Sequence, residues 1–233
     1  MPFEIHAITL PLPYRLGGVN CYLLRKGVEY FLIDTGSSNA RRELEEQLRT
    51  KGCQPGNLKL IILTHGDFDH TGNAAYLRKK YASKIAMHLE DSGMSEQGDM
   101  LFNRRLGNAF TRALIKITAS CLFGFGRAER FKPDLYIDEV FALSEYGLDA
   151  RIIHTPGHSK GSISILTSDR DLFCGDLCVN GNREDNARMN TIVDQKTYMN
   201  ESTRRLKDLN IRTIYPGHGR PFLSVKLFGA DES

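Results

Sequence analysis

The sequence predicts a layered α/β fold, which we expect to form one domain over residues 1–233. Short β-rich runs alternate with stretches of helical periodicity in both halves of the chain, and this alternation is the main evidence. The 233 residues are 41% hydrophobic, which is sufficient for one substantial core. Residues 95–130 interrupt the alternation, and we predict a helical insertion there.

The N-terminal half begins with three short β-rich runs, at Glu4–Leu10, Val19–Arg25 and Tyr30–Asp34. Apolar residues then recur every four positions from Ala40 to Leu48, which predicts a helix with one apolar stripe. This region is therefore predicted to form three strands followed by a helix.

A continuous apolar run at Leu58–Thr64 is typical of a strand that is buried on both faces. The segment Gly72–Tyr81 is predicted to be helical. The residues between them, His65-Gly66-Asp67-Phe68-Asp69-His70, therefore lie on a strand-to-helix loop. Loops of this kind usually carry the binding groups of α/β folds.

The C-terminal half returns to the β pattern after the insertion, and one long amphipathic stretch precedes its last strand. The predicted elements are strands at Ile137–Leu143, Arg151–His154, Ser162–Thr167 and Asp171–Cys174, a helix around Gln195–Leu209 and a strand at Arg212–Tyr215.

Composition gives no indication of a nucleic-acid or membrane partner. The net charge of +3 is mild, and no apolar run reaches the length needed to span a membrane. The N-terminus lacks the basic and apolar blocks of a signal peptide. Since the five cysteines show no C-x-x-C spacing, we interpret them as free thiols and expect a cytoplasmic protein.

The loop after the central strand places four potential metal ligands, His65, Asp67, Asp69 and His70, within six residues. Imidazole and carboxylate groups are the usual ligands of zinc, iron and manganese. Three later residues, His158, Asp176 and His218, each lie next to a glycine near the predicted end of a strand. A single histidine in such a place is more often structural, so the metal hypothesis depends on the whole set.

The order of these motifs from Asp34-Thr35-Gly36 to His218 resembles the metallo-β-lactamase superfamily over nearly the whole chain. The resemblance implies an αββα sandwich of two sheets flanked by helices, with two divalent metal ions at one edge. It also implies that the ligands divide into two groups with one bridging residue and one supporting residue. These are His65, Asp67 and His158 for the first metal, Asp69, His70 and His218 for the second, Asp176 as the bridge and Asp34 as the support.

Asp67 departs from the family pattern, in which a histidine usually occupies this position. The exchange of an imidazole for a carboxylate changes the formal charge of the ligand set from −2 to −3. A more negative set weakens the metal as a Lewis acid and favours harder metals. The family resemblance implies zinc as the metal. The carboxylate of Asp67 makes iron and manganese further candidates. The flavo-diiron branch is similar, with a glutamate at this position.

The resemblance implies a hydrolase that uses a dinuclear metal-bound hydroxide to cleave an ester, lactone, thioester or amide bond. Asp69 is the predicted catalytic residue, because its carboxylate can orient the hydroxide and carry a proton to the leaving group. Two alternatives remain: a diiron redox protein that acts on oxygen or nitric oxide, and a nuclease-type phosphodiesterase.

The substrate is expected to be a small molecule. The insertion at 95–130 is a candidate lid, because it is rich in aromatic residues and in basic residues such as Arg104. Helical insertions of lactonases in this superfamily make a lactone one candidate, whereas a homodimer contact is the other interpretation of the insertion. Arg183, Arg188 and Asn190, in a polar stretch after Asp176, are candidate substrate-binding residues.

Overall fold

A computed structural model describes residues 3–13, 17–104, 110, 113–114, 117, 129–181 and 186–229. The first sheet has six strands in chain order, of which the first three are antiparallel and the last four run parallel. Its strands are β1 (Glu4–Pro11), β2 (Gly18–Lys26), β3 (Glu29–Ile33), β4 (Leu58–Ile62), β5 (Lys84–His88) and β6 (Leu135–Ile137).

The second sheet follows the order β13-β12-β10-β9-β8-β7, with the short strand β11 paired to β10. Only β10 and β12 are parallel among the described pairs of this sheet. Its strands are β7 (Val140–Ala142), β8 (Ala150–His154), β9 (Ile163–Thr167), β10 (Asp171–Val179), β11 (Arg188–Met189), β12 (Thr213–His218) and β13 (Phe222–Leu223).

The helices cover the outer faces of both sheets. The first sheet carries most of them, and one long helix packs on the second sheet. They are α1 (Arg41–Thr50), α2 (Phe68–Thr71), α3 (Ala74–Tyr81), α4 (Leu89–Gln97), α5 (Lys196–Lys207) and α6 (Val225–Phe228).

Side chains along a strand alternate between two cores because their period is two. In β3, Leu32 packs toward the outer helices, together with Leu44 of α1, whereas Phe31 packs between the sheets. Met199 of α5 joins a third core on the outer face of the second sheet, with Leu172. The layer order is helix, sheet, sheet, helix, so the αββα sandwich that the family resemblance implies is confirmed.

Strand β10 is longer than the sequence pattern suggests. The predicted strand ends at Cys174, but the observed strand continues to Val179 and contains Asp176. Its register with β12 shifts on both sides of Gly175, which has φ of +51°. Because glycine tolerates a positive φ, the strand can kink here and continue, and the kink sets the position of Asp176.

Much of the predicted insertion at 95–130 lies outside the described residues. Of its described part, α4 extends to Gln97, and Phe110 and Leu114 have helical backbone and exposed side chains. No helix in the described part of the chain is both long and apolar enough to cross a bilayer. Among the described residues, four cysteines are buried free thiols, namely Cys21, Cys53, Cys174 and Cys178.

Candidate metal centre

The seven predicted ligands converge at one edge of the sandwich, where several strands end. The loop after β4 carries His65 and Asp67, and the single turn of α2 that follows carries Asp69 and His70. The Asp67 carbonyl accepts hydrogen bonds from His70 N and Thr71 N of this turn. The other three ligands come from the second sheet. His158 follows β8, Asp176 lies in β10 and His218 is the last residue of β12.

The first group consists of His65, Asp67 and His158. Asp67 Oδ2 lies 3.6 Å from His65 Nε2 and 3.1 Å from His158 Nε2. The three side chains are buried, so their polar atoms face one another and little water. This arrangement brings together two imidazole nitrogens and one carboxylate oxygen that could hold a metal ion.

The second group consists of Asp69, His70 and His218. Asp69 Oδ2 lies 3.8 Å from His70 Nε2 and 3.5 Å from His218 Nε2. Asp69 is more exposed than the other two carboxylates, with 23% of its side chain accessible against 10% for Asp67 and Asp176. This group therefore opens toward solvent.

Asp176 lies between the two groups. Its Oδ1 is 3.3 Å from His70 Nε2, and its Oδ2 is 3.4 Å from His218 Nε2 and 3.9 Å from His158 Nε2. One carboxylate thus faces histidines of both groups, which is the position that a bridging ligand requires.

Hydrogen bonds behind the site fix the orientation of the histidines. The Nδ1 atoms of His158 and His218 donate to the carbonyl oxygens of Ile192 and Gly18, at 2.7 and 2.8 Å. A carbonyl only accepts, so each Nδ1 carries the ring proton. The lone pair is then on Nε2, which points into the site.

Asp34 performs the same function for the other two histidines. Its Oδ2 lies 2.8 Å from His70 Nδ1 and accepts the hydroxyl proton of Thr64 at 2.7 Å. Because that hydroxyl donates to Asp34, its oxygen accepts from His65 Nδ1 at 3.0 Å. All four imidazoles therefore present Nε2 to the site, and Asp34 lies behind two of them, His65 and His70.

The inward atoms lack the partners that buried polar groups normally have. Within the described residues, no hydrogen-bond partner reaches His65 Nε2, His70 Nε2 or Asp176 Oδ1, although all are buried. Burying such atoms without a partner is costly, and metal coordination would satisfy them. The donor set of imidazole nitrogen and carboxylate oxygen fits zinc, iron or manganese.

The charges of the site reinforce one another in the metal-free protein. Burial raises the pKa of Asp176, but His218 and His70 lower it, and it lies well below the usual value. Burial lowers the pKa of His218, but the carboxylates of Asp176 and Asp69 raise it to about 10. Without a metal ion, His218 therefore carries a second ring proton at neutral pH, on Nε2, and metal binding must displace it.

Asp91, at the start of α4, holds two ligand loops together and was not predicted from the sequence. This buried carboxylate accepts hydrogen bonds from Gly66 N at 2.9 Å, Ser159 Oγ at 2.6 Å and Gly161 N at 2.8 Å. Gly66 follows His65, and Ser159 follows His158. In the sequence, Asp91 is indistinguishable from an ordinary acidic residue in a first helical turn.

Arg104 is the second residue whose place at the site was not predicted. The sequence suggests only that it contributes to a basic insertion, but its Nη2 lies 2.7 Å from Asp67 Oδ1. Its side chain is buried, with 5% accessible. No spacing rule connects position 104 with position 67, so only the tertiary structure shows this contact.

The three predicted substrate-binding residues have different environments. Asn190 Nδ2 donates to Asp176 Oδ2 at 3.4 Å, so Asn190 lies at the site. Arg188 is exposed in β11, and its Nη1 donates to the carbonyl of Asn186. Arg183 lies outside the described residues.

Comparisons with known proteins agree with this geometry. A family model for the metallo-beta-lactamase superfamily matches residues 14–218. A probable metallo-hydrolase from Methanocaldococcus jannaschii is 32% identical over 90% of this chain and 94% of its own length.

Two further relatives are named as thioesterases. An atrochrysone carboxyl ACP thioesterase from Aspergillus fumigatus is 25% identical over 90% of this chain and 53% of its own length. An acyl-coenzyme A thioesterase from Bos taurus is 24% identical over 90% of this chain and 76% of its own length. The chain thus spans about half of the longer of these relatives.

Solved structures are similar along nearly the whole chain. A metallo-beta-lactamase family protein from Thermus thermophilus has a TM-score of 0.71 and 25% identity, covering 95% of this chain and 75% of that one. A protein crystallised in a di-iron-bound form has a TM-score of 0.62 and 25% identity, covering 91% of this chain and 93% of that one.

Replacement of Asp91 by alanine should lower the free energy of unfolding by about 3 kcal/mol, because three buried donors lose their acceptor. The metal content should fall as well, since two ligand loops lose their common anchor. Urea unfolding and elemental analysis measure the two effects. The control is Glu90→Gln on the same helix, an exposed position that should change stability by less than about 0.5 kcal/mol. Wild-type stability and metal content in the Asp91 variant would contradict this assignment.

Metal binding should release at least one proton at neutral pH, because His218 is protonated in the metal-free protein. The pKa of this imidazole is raised, so protons compete more strongly as the pH falls, and metal affinity should decrease from about pH 8 to about pH 6. Calorimetry in buffers with different ionisation enthalpies counts the released protons. An affinity that is constant over this range would contradict the prediction.

Proposed function

Since the chain belongs to the metallo-beta-lactamase superfamily and is a hydrolase, we propose that it cleaves thioesters with the help of two divalent metal ions. The observation that supports this proposal most strongly is the convergence of four Nε2 atoms and three carboxylates at one edge of the sandwich. The thioesterase relatives suggest the bond type.

His65, Asp67 and His158 would hold one metal ion, and Asp69, His70 and His218 would hold the other, with Asp176 between them. When bound, such ions supply an activated water molecule at neutral pH and polarise the scissile carbonyl. Zinc is the metal that the family suggests. Iron is a second candidate, because a similar structure is di-iron-bound and because the carboxylate of Asp67 suits a harder metal. The same carboxylate makes manganese a third candidate.

Asp69 is the group placed to move a proton. Burial raises the pKa of its carboxyl, but His70 and His218 lower it below the usual value, so it is ionised at neutral pH. Asp69 is also the most exposed of the three carboxylates at the site. We infer that it accepts the proton of the attacking water and passes it toward the leaving group.

The smaller demand of a thiolate for proton donation favours a thioester over an amide. In the described part of the site, each imidazole uses Nδ1 for a structural hydrogen bond and presents Nε2 to the ligand cluster. None of these imidazoles is then available as a general acid. A thiol has a pKa of about 8.5 and leaves as an anion, whereas an amine leaving group must be protonated.

The metal-loaded protein should hydrolyse acyl-coenzyme A and acyl-glutathione thioesters at least about tenfold faster than matched amides, because thiolates need little proton donation. The experiment loads metal-free protein with zinc, iron or manganese in turn and assays thioesters, esters, lactones and amides. His70→Ala and Asp176→Ala should lose both metal and activity. An iron-loaded protein that hydrolyses none of these but consumes oxygen or nitric oxide would overturn the proposal in favour of redox chemistry. Selective cleavage of phosphodiesters would instead favour a nuclease.

Replacement of Asp69 by asparagine should lower kcat by about 100-fold while KM changes little, because an amide oxygen can still coordinate but cannot accept a proton. Metal content, measured on the same sample, separates loss of proton transfer from loss of metal. Asp149→Asn also removes one carboxylate charge, but at an exposed position before β8, so it is the control and should keep wild-type kcat. A fully metallated Asp69→Asn variant with wild-type kcat would exclude Asp69 as the proton carrier.

A further inference from the structure

Asp67 has two oxygen atoms with different surroundings. Oδ2 faces the ligand cluster, 3.6 Å from His65 Nε2 and 3.1 Å from His158 Nε2. Oδ1 lies 2.7 Å from Arg104 Nη2. Oδ2 is therefore the oxygen that approaches the two histidine nitrogens, whereas Oδ1 pairs with the guanidinium.

Arg104 brings a permanent positive charge to the same place. A guanidinium remains charged at any pH at which the protein is folded. Its side chain is 5% accessible, and that of Asp67 is 10% accessible, so water screens the pair little. Nη2 also lies 3.4 Å from His158 Nε2, which places the positive charge at the border of the first ligand group.

We propose that the Asp67–Arg104 pair acts as the equivalent of a neutral imidazole in the first metal group. The pair offers one donor atom, Oδ2, and its two charges cancel. An imidazole likewise offers one donor atom and no charge. This proposal rests on the proposed metal site but not on the identity of the substrate.

The charge of the site follows from this pairing. The three carboxylates alone give the ligand set a formal charge of −3, and Arg104 returns it to −2, the value expected with a histidine at position 67. Asp67 therefore weakens the metal as a Lewis acid less than the sequence alone suggests. Arg104 is a positioning residue, because it acts on the metal through Asp67.

A purely structural ion pair would anchor the segment around Arg104 without affecting the metal. Breaking a buried pair destabilises a protein in either case, so loss of stability does not distinguish the two interpretations. The sign of the change in metal affinity does. Removal of Arg104 makes the site more negative, whereas replacement of Asp67 by histidine removes the carboxylate 2.7 Å from the guanidinium and makes the site more positive.

The test compares wild type, Arg104→Gln, Asp67→His and the double variant. Each is stripped of metal, checked for folding by circular dichroism and titrated with zinc against a chromophoric chelator. For the first metal group, Arg104→Gln should bind zinc about tenfold more tightly, and Asp67→His about tenfold more weakly. The double variant, which has neither charge, should return to within about threefold of wild type. Arg130→Gln, at an exposed position, is the matched control and should not change the affinity.

Arg104→Lys adds a variant that keeps the charge but not the planar guanidinium, and it should remain closer to wild type than Arg104→Gln. The proposal is overturned if Asp67→His alone binds two zinc ions as tightly as wild type. It is also overturned if all Arg104 variants lose metal together, or if wild type binds no metal. Metal binding without thioester hydrolysis would contradict only the proposed substrate, because zinc affinity is measured without substrate.

Discussion

The site depends on the hydrogen bonds that keep each imidazole proton on Nδ1. Backbone carbonyls hold two of these protons, and Asp34 holds a third directly and the fourth through Thr64. Without these acceptors the rings could rotate or change tautomer, and the lone pairs would no longer meet. Asp34 itself has φ of +58°, an unusual conformation for a residue with a side chain, and the surrounding contacts must maintain it.

The two sheets meet behind these ligands at close range. Ile163 N donates to the Thr64 carbonyl at 2.8 Å, which joins β9 to the end of β4. A Cβ on Gly175 would lie 2.5 Å from Thr64 Oγ1, so the bulge in β10 also needs a residue without a side chain. Thr64 thus contacts the second sheet while it orients His65. The site therefore depends on the relative position of the sheets as well as on the loop that supplies most of its ligands.

The sequence predicts a layered α/β fold because alternating periods and apolar runs report directly on burial, and the family resemblance specifies the αββα order of the layers. The motifs and the family resemblance also name seven candidate ligands, and their side chains lie together at one edge of the sandwich. The sequence does not predict that Asp91 and Arg104 lie at the site. Their contacts join residues that are 25 and 37 positions apart, and they depend on how α4 and the following segment pack. The bulge that places Asp176 inside β10 is missed for a related reason. Gly175 alone indicates a possible turn, and only pairing with β12 and β11 shows that the strand continues.

The contact between Asp67 and Arg104 changes how the substituted motif should be interpreted. When the six residues from His65 to His70 are considered alone, a carboxylate in place of a histidine adds one negative charge to the ligand set. The neighbouring guanidinium offsets that charge and pairs with one of the two carboxylate oxygens, Oδ1. With a histidine at position 67, the buried guanidinium of Arg104 would lose the carboxylate that lies 2.7 Å from it, at a cost in desolvation. The residues at positions 67 and 104 therefore have to be considered as a pair, and metal preference follows from both.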